Sequence, residues 1–561
     1  MRRATAAHAP VGRDTGTGRR RSSVVASALV AGALVATPGC MVGPEFVQPT
    51  APVEPAWTQA VDASVVPEPP EDASWWTGFG DPVLSQLVLD AYAGNRDLRA
   101  AGLRVIQAQA RRAISIGTLF PQSQNATASY ARQRISANTG LATASGVGGA
   151  TTITGSTGRA RYFSQYQAGF DAAWELDLWG RFRRGIEASD EDLIASVADY
   201  DAVLVSLVAE VAATYTSIRT LEERLAIARD NVGVQEASLR IATVRYEAGG
   251  TTELDVAQAT ALLRDTEATI PQYAIQLRQA KDALAVLLGV PPSAIDARLA
   301  TPGTIPAIPP SVLVGIPADL LRRRPDVLQA EHAAAAQSAR IGVATADLLP
   351  SLQLVGTIGL SSTDAAHFFE GRSWAGQMGP SVSWPILDYG RIINNVRLQD
   401  AVFQELLTSY ETTVLRAQQE VEDALAGYVL GVEQVQKLSD SVAAANRAVD
   451  LSVIQYREGA TDYTRVLNSQ QSKLREDDLL VTNRGAVARS VIALYKALGG
   501  GWQLRNGNDF VPEETTQAMR ARTYWGGTLD PERRAADIEQ AAADTAPDRP
   551  WWKPRWWWPR W

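Results

Sequence analysis

The chain has 561 residues, one cysteine, three histidines and four methionines, and a formal charge of −8. A single cysteine excludes an intramolecular disulfide, the scattered His8, His332 and His367 cannot build an ordinary zinc site with it, and the methionines are too few and too dispersed for a soft-metal relay. Six arginines and one aspartate fall within residues 1–39, so the chain from Cys40 onward carries −13, which argues against nucleic acid as a partner.

At the amino end Arg19, Arg20 and Arg21 precede an apolar run from Val24 to Ala36, then "TPGC". A basic stretch, a short apolar run and small residues make residues 1–39 a secretory signal, too short to span a bilayer as a retained helix. Gly39 before Cys40 resembles a bacterial lipoprotein cleavage box, which implies a covalent lipid on Cys40 and no other cofactor. Thr37 and Pro38 depart from the Leu-Ala usual at those positions, and a plain signal peptide with an incidental cysteine is the alternative. Several acyl chains, at about 0.8 kcal/mol per buried CH₂, would anchor this end stably. Met41 stands where an aspartate would hold many such proteins at the inner membrane, so the outer membrane is the expected home.

Residues 40–82 then read as an extended, lipid-anchored segment. Beyond them the chain repeats itself. Trp174, Gly180 and Arg181 in "WELDLWGR" recur 210 residues later as Trp384, Gly390 and Arg391 in "WPILDYGR". Tyr246, Gly249, Thr251 and Val256 recur at the same offset as Tyr456, Gly459, Thr461 and Val466. Upstream the offset is 229: Asp97, Arg111 and Pro121 match Asp326, Arg340 and Pro350. The first copy thus holds 19 extra residues between Pro121 and Trp174, as a surface loop can. The repeats span 83–289 and 318–505, joined by a Pro-rich linker over 290–317.

Within each repeat two periods alternate. Residues 182–248 and 391–458 contain no proline, and Leu204, Leu207, Val211, Ile218, Leu221 and Leu225 follow helical spacing. Each is expected to be a rod of roughly 100 Å. Shorter helices are expected over 83–119, 251–289, 318–348 and 460–499, and Tyr-x-x-Gly at 246–249 and 456–459 marks the break between long and short, with glycine supplying the left-handed turn. Period two appears at about 122–132, 165–175, 351–361 and 376–386. Tyr166, Ala168, Phe170, Ala172 and Trp174, for instance, alternate with Gln167, Gly169, Asp171, Ala173 and Glu175. Strands of about ten residues with one apolar face and terminal aromatics suit a tilted crossing of a bilayer. Four strands cannot close a barrel, open edges are not tolerated in hydrocarbon, and an eight-stranded barrel is filled by side chains. Three chains would supply twelve strands and room for a pore, so a homotrimer is expected.

The ordered set of Cys40 with "VGPEF", "LLRRRPDVLQAE" at 320–331, the "FPQ" and "LPS" strand entries and the two Tyr-x-x-Gly tips resembles the outer-membrane factors of the TolC/NodT type over about residues 40–505. The resemblance implies an α+β membrane protein of TolC-like fold, with a trimeric twelve-stranded barrel in the outer membrane above a long antiparallel α-helical barrel in the periplasm. It implies a passive exit channel of an RND-type tripartite efflux system exporting small molecules and drugs, with a periplasmic adaptor and an inner-membrane pump as partners. A protein or oligosaccharide secretion duct shares the fold and stays open; a structural trimeric coiled coil fits the strands poorly. By the same resemblance Asp255 and Tyr456 match positions that link the periplasmic gate, while Arg465 and Asn468 stand where relatives carry carboxylates, pointing to a gate that attracts anions. Tyr246, Gly249, Thr251, Gly459 and Thr461 would form the helix tips where the adaptor docks.

The remaining segments carry less. Residues 135–164, rich in Gly, Thr, Ser and Ala, read as an extracellular hairpin loop and lack the pattern of a phosphate cradle. No nucleophile elbow or paired Cys/His arrangement is present, so no catalytic or metal site and no enzyme is expected. Residues 506–561 are expected to be a disordered tail. Its end, "WWKPRWWWPRW", leaves open a membrane interface, peptidoglycan or no role.

Overall fold

The computed structural model describes residues 41–545 apart from 59–61, 63–64, 67–72, 135–142, 147–148, 153–161, 310, 316 and 320–322. Cys40, the signal segment and the Trp-rich end 546–561 therefore lie outside the described residues. The first half runs α1 (Pro82–Gly94), α2 (Arg96–Gly117), β1 (Ser123–Arg134), β2 (Tyr162–Leu176), α3 (Arg181–Glu247) and α4 (Glu253–Leu287). The second runs α5 (Pro325–Ala346), β3 (Ser351–Ser362), β4 (Trp374–Ser383), α6 (Arg391–Arg457) and α7 (Tyr463–Ala497). Lengths match across the halves: α2 and α5 have 22 residues each, α3 and α6 have 67, and α4 and α7 have 35. The one helix expected over 83–119 is two, because Asn95 leaves the helical region and its side chain accepts from Leu98 N at 2.8 Å, capping α2.

The junctions are built alike. Each long helix starts at a glycine in the left-handed region, Gly180 at φ 80° and Gly390 at φ 82°. An aspartate just upstream caps it: Asp177 accepts from the amides of Phe182 and Arg183, Asp388 from those of Gly390 and Ile392. These backbone donors, that of Ile392 foremost, hold the Asp388 carboxyl below its ordinary pKa. At their far ends α3 and α6 close in the same way. Gly249 N donates to Tyr246 O and Gly250 N to Arg245 O, while Gly459 N donates to Tyr456 O and Ala460 N to Gln455 O. This paired closure with a left-handed glycine satisfies the last carbonyls of each rod.

Between the rods lies one four-stranded antiparallel sheet in the order β1-β2-β3-β4. In the loop between β1 and β2, Thr143–Gly146 pairs with Gly149–Thr152 as a small hairpin. No helix among the described residues is long and apolar enough to cross a membrane.

The main core lies where the two halves meet. Trp75 stacks on Tyr495 at 5.2 Å and meets Trp76 edge-on at 5.8 Å. Here the "RRRPD" motif shows its use. Pro325 opens α5, and the buried Arg324 reaches Asp326 at 2.6 Å, Glu420 at 2.7 Å and Ala497 O at 2.9 Å, tying three helices together. The linker adds a short parallel pairing of Val65–Val66 with Val312–Leu313, and Trp57 donates to Gly315 O at 3.1 Å. The N-terminal segment runs along the helices as a strap, with Glu54 N on Gln418 and Thr58 N on Glu422.

Residues 506–545 correct the expectation of a disordered tail. They form α8 (Glu513–Arg522) and α9 (Pro531–Thr545); α9 packs on α3, and Met519 of α8 joins the main core. The polar composition hides a narrow stripe: Leu529, Ile538 and Ala541 face the core, and the buried Arg534 is paired with Asp509. A few apolar contacts backed by ion pairs suffice here because the surface they cover is preformed.

Candidate functional site: an apolar sheet face and a helical tip

All paired residues in the sheet keep one parity. Phe170 faces Ala126 on one side and Ile358 on the other, Trp174 faces Leu354, and Gly356 faces Met378. The period-two faces of the four strands therefore join without a slip. The even-numbered face carries Tyr130, Tyr166, Phe170, Trp174, Leu354, Ile358, Trp374, Met378 and Val382. Phe170 is 68% exposed in the single chain, Ile358 55% and Met378 90%, a contiguous apolar surface that water would not favour. The other face carries Asn125, Thr127, Gln167, Asp171, Thr357, Gln377 and Ser381, with Asn125 donating to Asp171 at 2.9 Å. β1 and β4 lie at the two edges of the sheet. At the lower rim two tryptophans, equivalent in the repeat, make equivalent bonds: Trp174 Nε1 donates to Leu119 O at 3.1 Å and Trp384 Nε1 to Leu348 O at 3.0 Å. They fix the sheet to the ends of α2 and α5.

At the opposite end the structure brings together Asp255 and Tyr456. The Tyr456 hydroxyl donates to Asp255 Oδ2 at 3.0 Å, and Thr251 donates to the same carboxylate. Tyr463 packs edge-on against Tyr456 at 5.3 Å, and both rings are buried with Ala242, Ala259 and Val466. Burial pushes the Tyr456 hydroxyl above its ordinary pKa of 10.0, which keeps it a donor.

The sequence reading did not single out Arg245. Its guanidinium lies 4.5 Å from the centre of the Tyr456 ring, donates to Tyr456 O, and reaches Gly250 O at 3.1 Å. It spans both tips with one cation, on an aromatic face and on carbonyls at the helix ends. The available signal was a cation in the last turn of α3 beside the Tyr-x-x-Gly break.

Among the described residues this latch forms once. The repeat counterpart of Tyr456 is Tyr246, which is 44% exposed where Tyr456 is 2% exposed. Asp255 corresponds to Arg465 and Arg245 to Gln455, so the second copy offers no carboxylate to a tyrosine hydroxyl. Arg465 and Asn468 are exposed on the first turns of α7 and take no part in the latch. Gly249 and Gly459 make the turns at φ 75° and 79°. Thr461, the counterpart of Thr251, is half-buried.

A sheet apolar on one face and polar on the other, carried on two rods of 67 residues whose far ends are latched, suits a channel-forming membrane protein, and the described residues offer no arrangement for catalysis. Comparison with known proteins gives the particular kind. The family model described as outer membrane efflux protein matches residues 87–290 and 316–500, and the chain belongs to that family. It is 30% identical over 476 residues to the toluene efflux pump outer membrane protein TtgF of Pseudomonas putida, covering 83% of this chain and 95% of that one. To the pyoverdine export outer membrane protein OpmQ of the same species it is 32% identical over 450 residues, covering 80% and 92%. The solved outer-membrane channel OprN superposes with a TM-score of 0.75 at 33% identity, over 83% of this chain and all of that one. The chain is thus an outer-membrane efflux channel protein of TolC-like fold, and it is not an enzyme.

Proposed function

We propose that three copies of this chain close a twelve-stranded barrel through the outer membrane and a helical barrel below it, forming the passive exit duct of an RND-type tripartite pump for small molecules. The observation that carries this reading is the sheet. Four strands share one unbroken apolar face and end in two edges, and in hydrocarbon each edge requires another strand. The matching halves, read as an internal duplication, would let the three chains approximate a sixfold ring. Relatives named for toluene efflux and pyoverdine export support a small-molecule cargo.

In this reading the Asp255–Tyr456–Arg245 latch holds the periplasmic gate closed, and Arg465 and Asn468 line the approach to it. Tyr246, Gly249, Thr251, Gly459 and Thr461 form the tip that receives a periplasmic adaptor, which couples the duct to an inner-membrane pump. A lipid on Cys40 anchors the amino end in the outer membrane. Supporting that anchor, Val42 N donates to Trp179 O at 3.1 Å and Met41 fills the space beside Gly180, so the residue after Cys40 sits at the base of the sheet. No nucleic acid takes part. The reading is tested in planar bilayers: purified protein gives low, mostly closed conductance that rises in Asp255→Ala, and an unchanged conductance sinks the gate assignment.

A further inference from the structure

The end of the sheet away from the helices carries a pair of cations on its apolar face. Arg132 and Arg134 of β1 share the even-numbered face with Phe170, and their register partners on β2 are Ser164 and Tyr162. Their guanidinium carbons lie 5.8 and 5.5 Å from the centre of the Tyr162 ring, so one exposed aromatic gathers both charges. Toward the helices, Tyr130 meets Tyr166 at 4.9 Å and Tyr166 meets Phe368 at 6.3 Å, with Trp374 exposed on the same face. Along β2, at about 3.4 Å per residue and a tilt of about 40°, Tyr166 stands about 20 Å above Trp174 and Tyr162 about 30 Å. The apolar band of a membrane barrel is about 25 Å tall. Trp174 and the Tyr130–Tyr166 pair thus mark its two borders, and the arginines sit just past the outer one.

No carboxylate answers them. The sequence holds no aspartate or glutamate between Asp97 and Asp171. In the connection from β3 to β4, Asp364 accepts from Ala366 N at 3.0 Å and Glu370 pairs with His367 at 2.7 Å, so both of its acids are engaged. Among the described residues neither arginine has an ion pair. Two like charges held at one ring favour an anion between them, and a guanidinium against an aromatic keeps its forked N–H donors for a phosphate.

We propose that Arg132, Arg134 and Tyr162 form a binding site for the phosphorylated headgroup of the glycolipid in the outer leaflet of the outer membrane. The inference rests on the sheet being the membrane-crossing element. Inner-leaflet phospholipid would lie at the other border, beside Trp174 and Trp384, where the sheet joins the helices. Exported anions would pass along the odd-numbered face, on the opposite side of the strand from this pair.

The test is native mass measurement of the full detergent-extracted channel titrated with lipid A bearing two phosphates, the same lipid without phosphates, and phosphatidylglycerol. The phosphorylated glycolipid should be retained in preference to both others. Arg132→Gln with Arg134→Gln should weaken its retention roughly 30-fold, the equivalent of two cations at about 1 kcal/mol each, and lysine at both positions should recover most of it. Arg264→Gln on α4 should change nothing. Equal retention of phosphatidylglycerol, retention unchanged in the glutamine pair, or no recovery with lysine would overturn the site. The sheet is read separately, in the chain with Cys40→Ser and a nitroxide at Phe170→Cys in lipid vesicles, where the label should collide with oxygen in preference to an aqueous nickel chelate. A lipid-like label beside unchanged retention overturns the site alone, whereas a water-like label overturns the membrane role of the sheet on which the site rests.

Discussion

Tyr456 and Tyr246 occupy the same place in the repeat, yet only one is locked, and the difference lies in a carboxylate and a cation beside it. Removing the hydroxyl in Tyr456→Phe gives up one hydrogen bond to Asp255, worth about 0.5–1.5 kcal/mol net, so the open population should rise about two- to tenfold in single-channel recordings. Asp255→Ala also strands Thr251 and should open more. The hydroxyl has its pKa raised by burial, so the latch keeps its donor below the ordinary tyrosine value and loses it as pH climbs through the higher folded value. Conductance should accordingly stay flat through pH 9 and increase only above about 10, the ordinary tyrosine pKa; a rise near neutrality would remove Tyr456 from the latch. Arg324 belongs to stability instead. Its loss leaves the Ala497 carbonyl unmet and two carboxylates without their cation, and because these are half-exposed the cost should be about 2 kcal/mol rather than the 3–5 of a fully buried pair. Arg324→Ala should lower the thermal midpoint, with Arg324→Lys recovering only part of it, since an ammonium cannot make the forked contacts.

At the scale of elements the sheet makes a parity prediction. Ile358 and Thr357 are neighbours in β3 on opposite faces. Ile358→Arg should cost about 2–4 kcal/mol in reversible folding into lipid vesicles, and Thr357→Arg much less. Equal costs would mean that the even-numbered face does not meet lipid. The four strands were legible because period two survives any register, whereas Asn95 splitting a helix was not, since a short polar residue in a helical stretch signals a cap only once the chain on both sides has turned. The helices at 513–522 and 531–545 were missed for a related reason: their apolar stripe is too thin to stand out, and its burial depends on a surface 300 residues away in the chain.

For the whole molecule, the decisive quantity is the number of strands against the number needed to seal a barrel. Native mass measurement of the detergent-extracted protein should give three chains per particle, and a folded, monodisperse monomer would exclude the twelve-stranded barrel. The membership in an efflux family was legible from landmarks at constant offsets, because the same order of strand entry, rod and tip met twice along the chain leaves little freedom for another fold.

Sequence alone determined what depends on spacing: the repeat, the rod lengths, the apolar parity of each strand, and which residues stand at the tips. Those properties are local, set by the period of the backbone and the position of glycine and proline. Tertiary structure decided which tip residues meet, that Arg245 closes over Tyr456, that Arg465 stays out of the latch, and that residues 513–545 form two helices, the second packed on α3. Such choices rest on contacts between residues hundreds of positions apart, whose distances no spacing along the chain can fix.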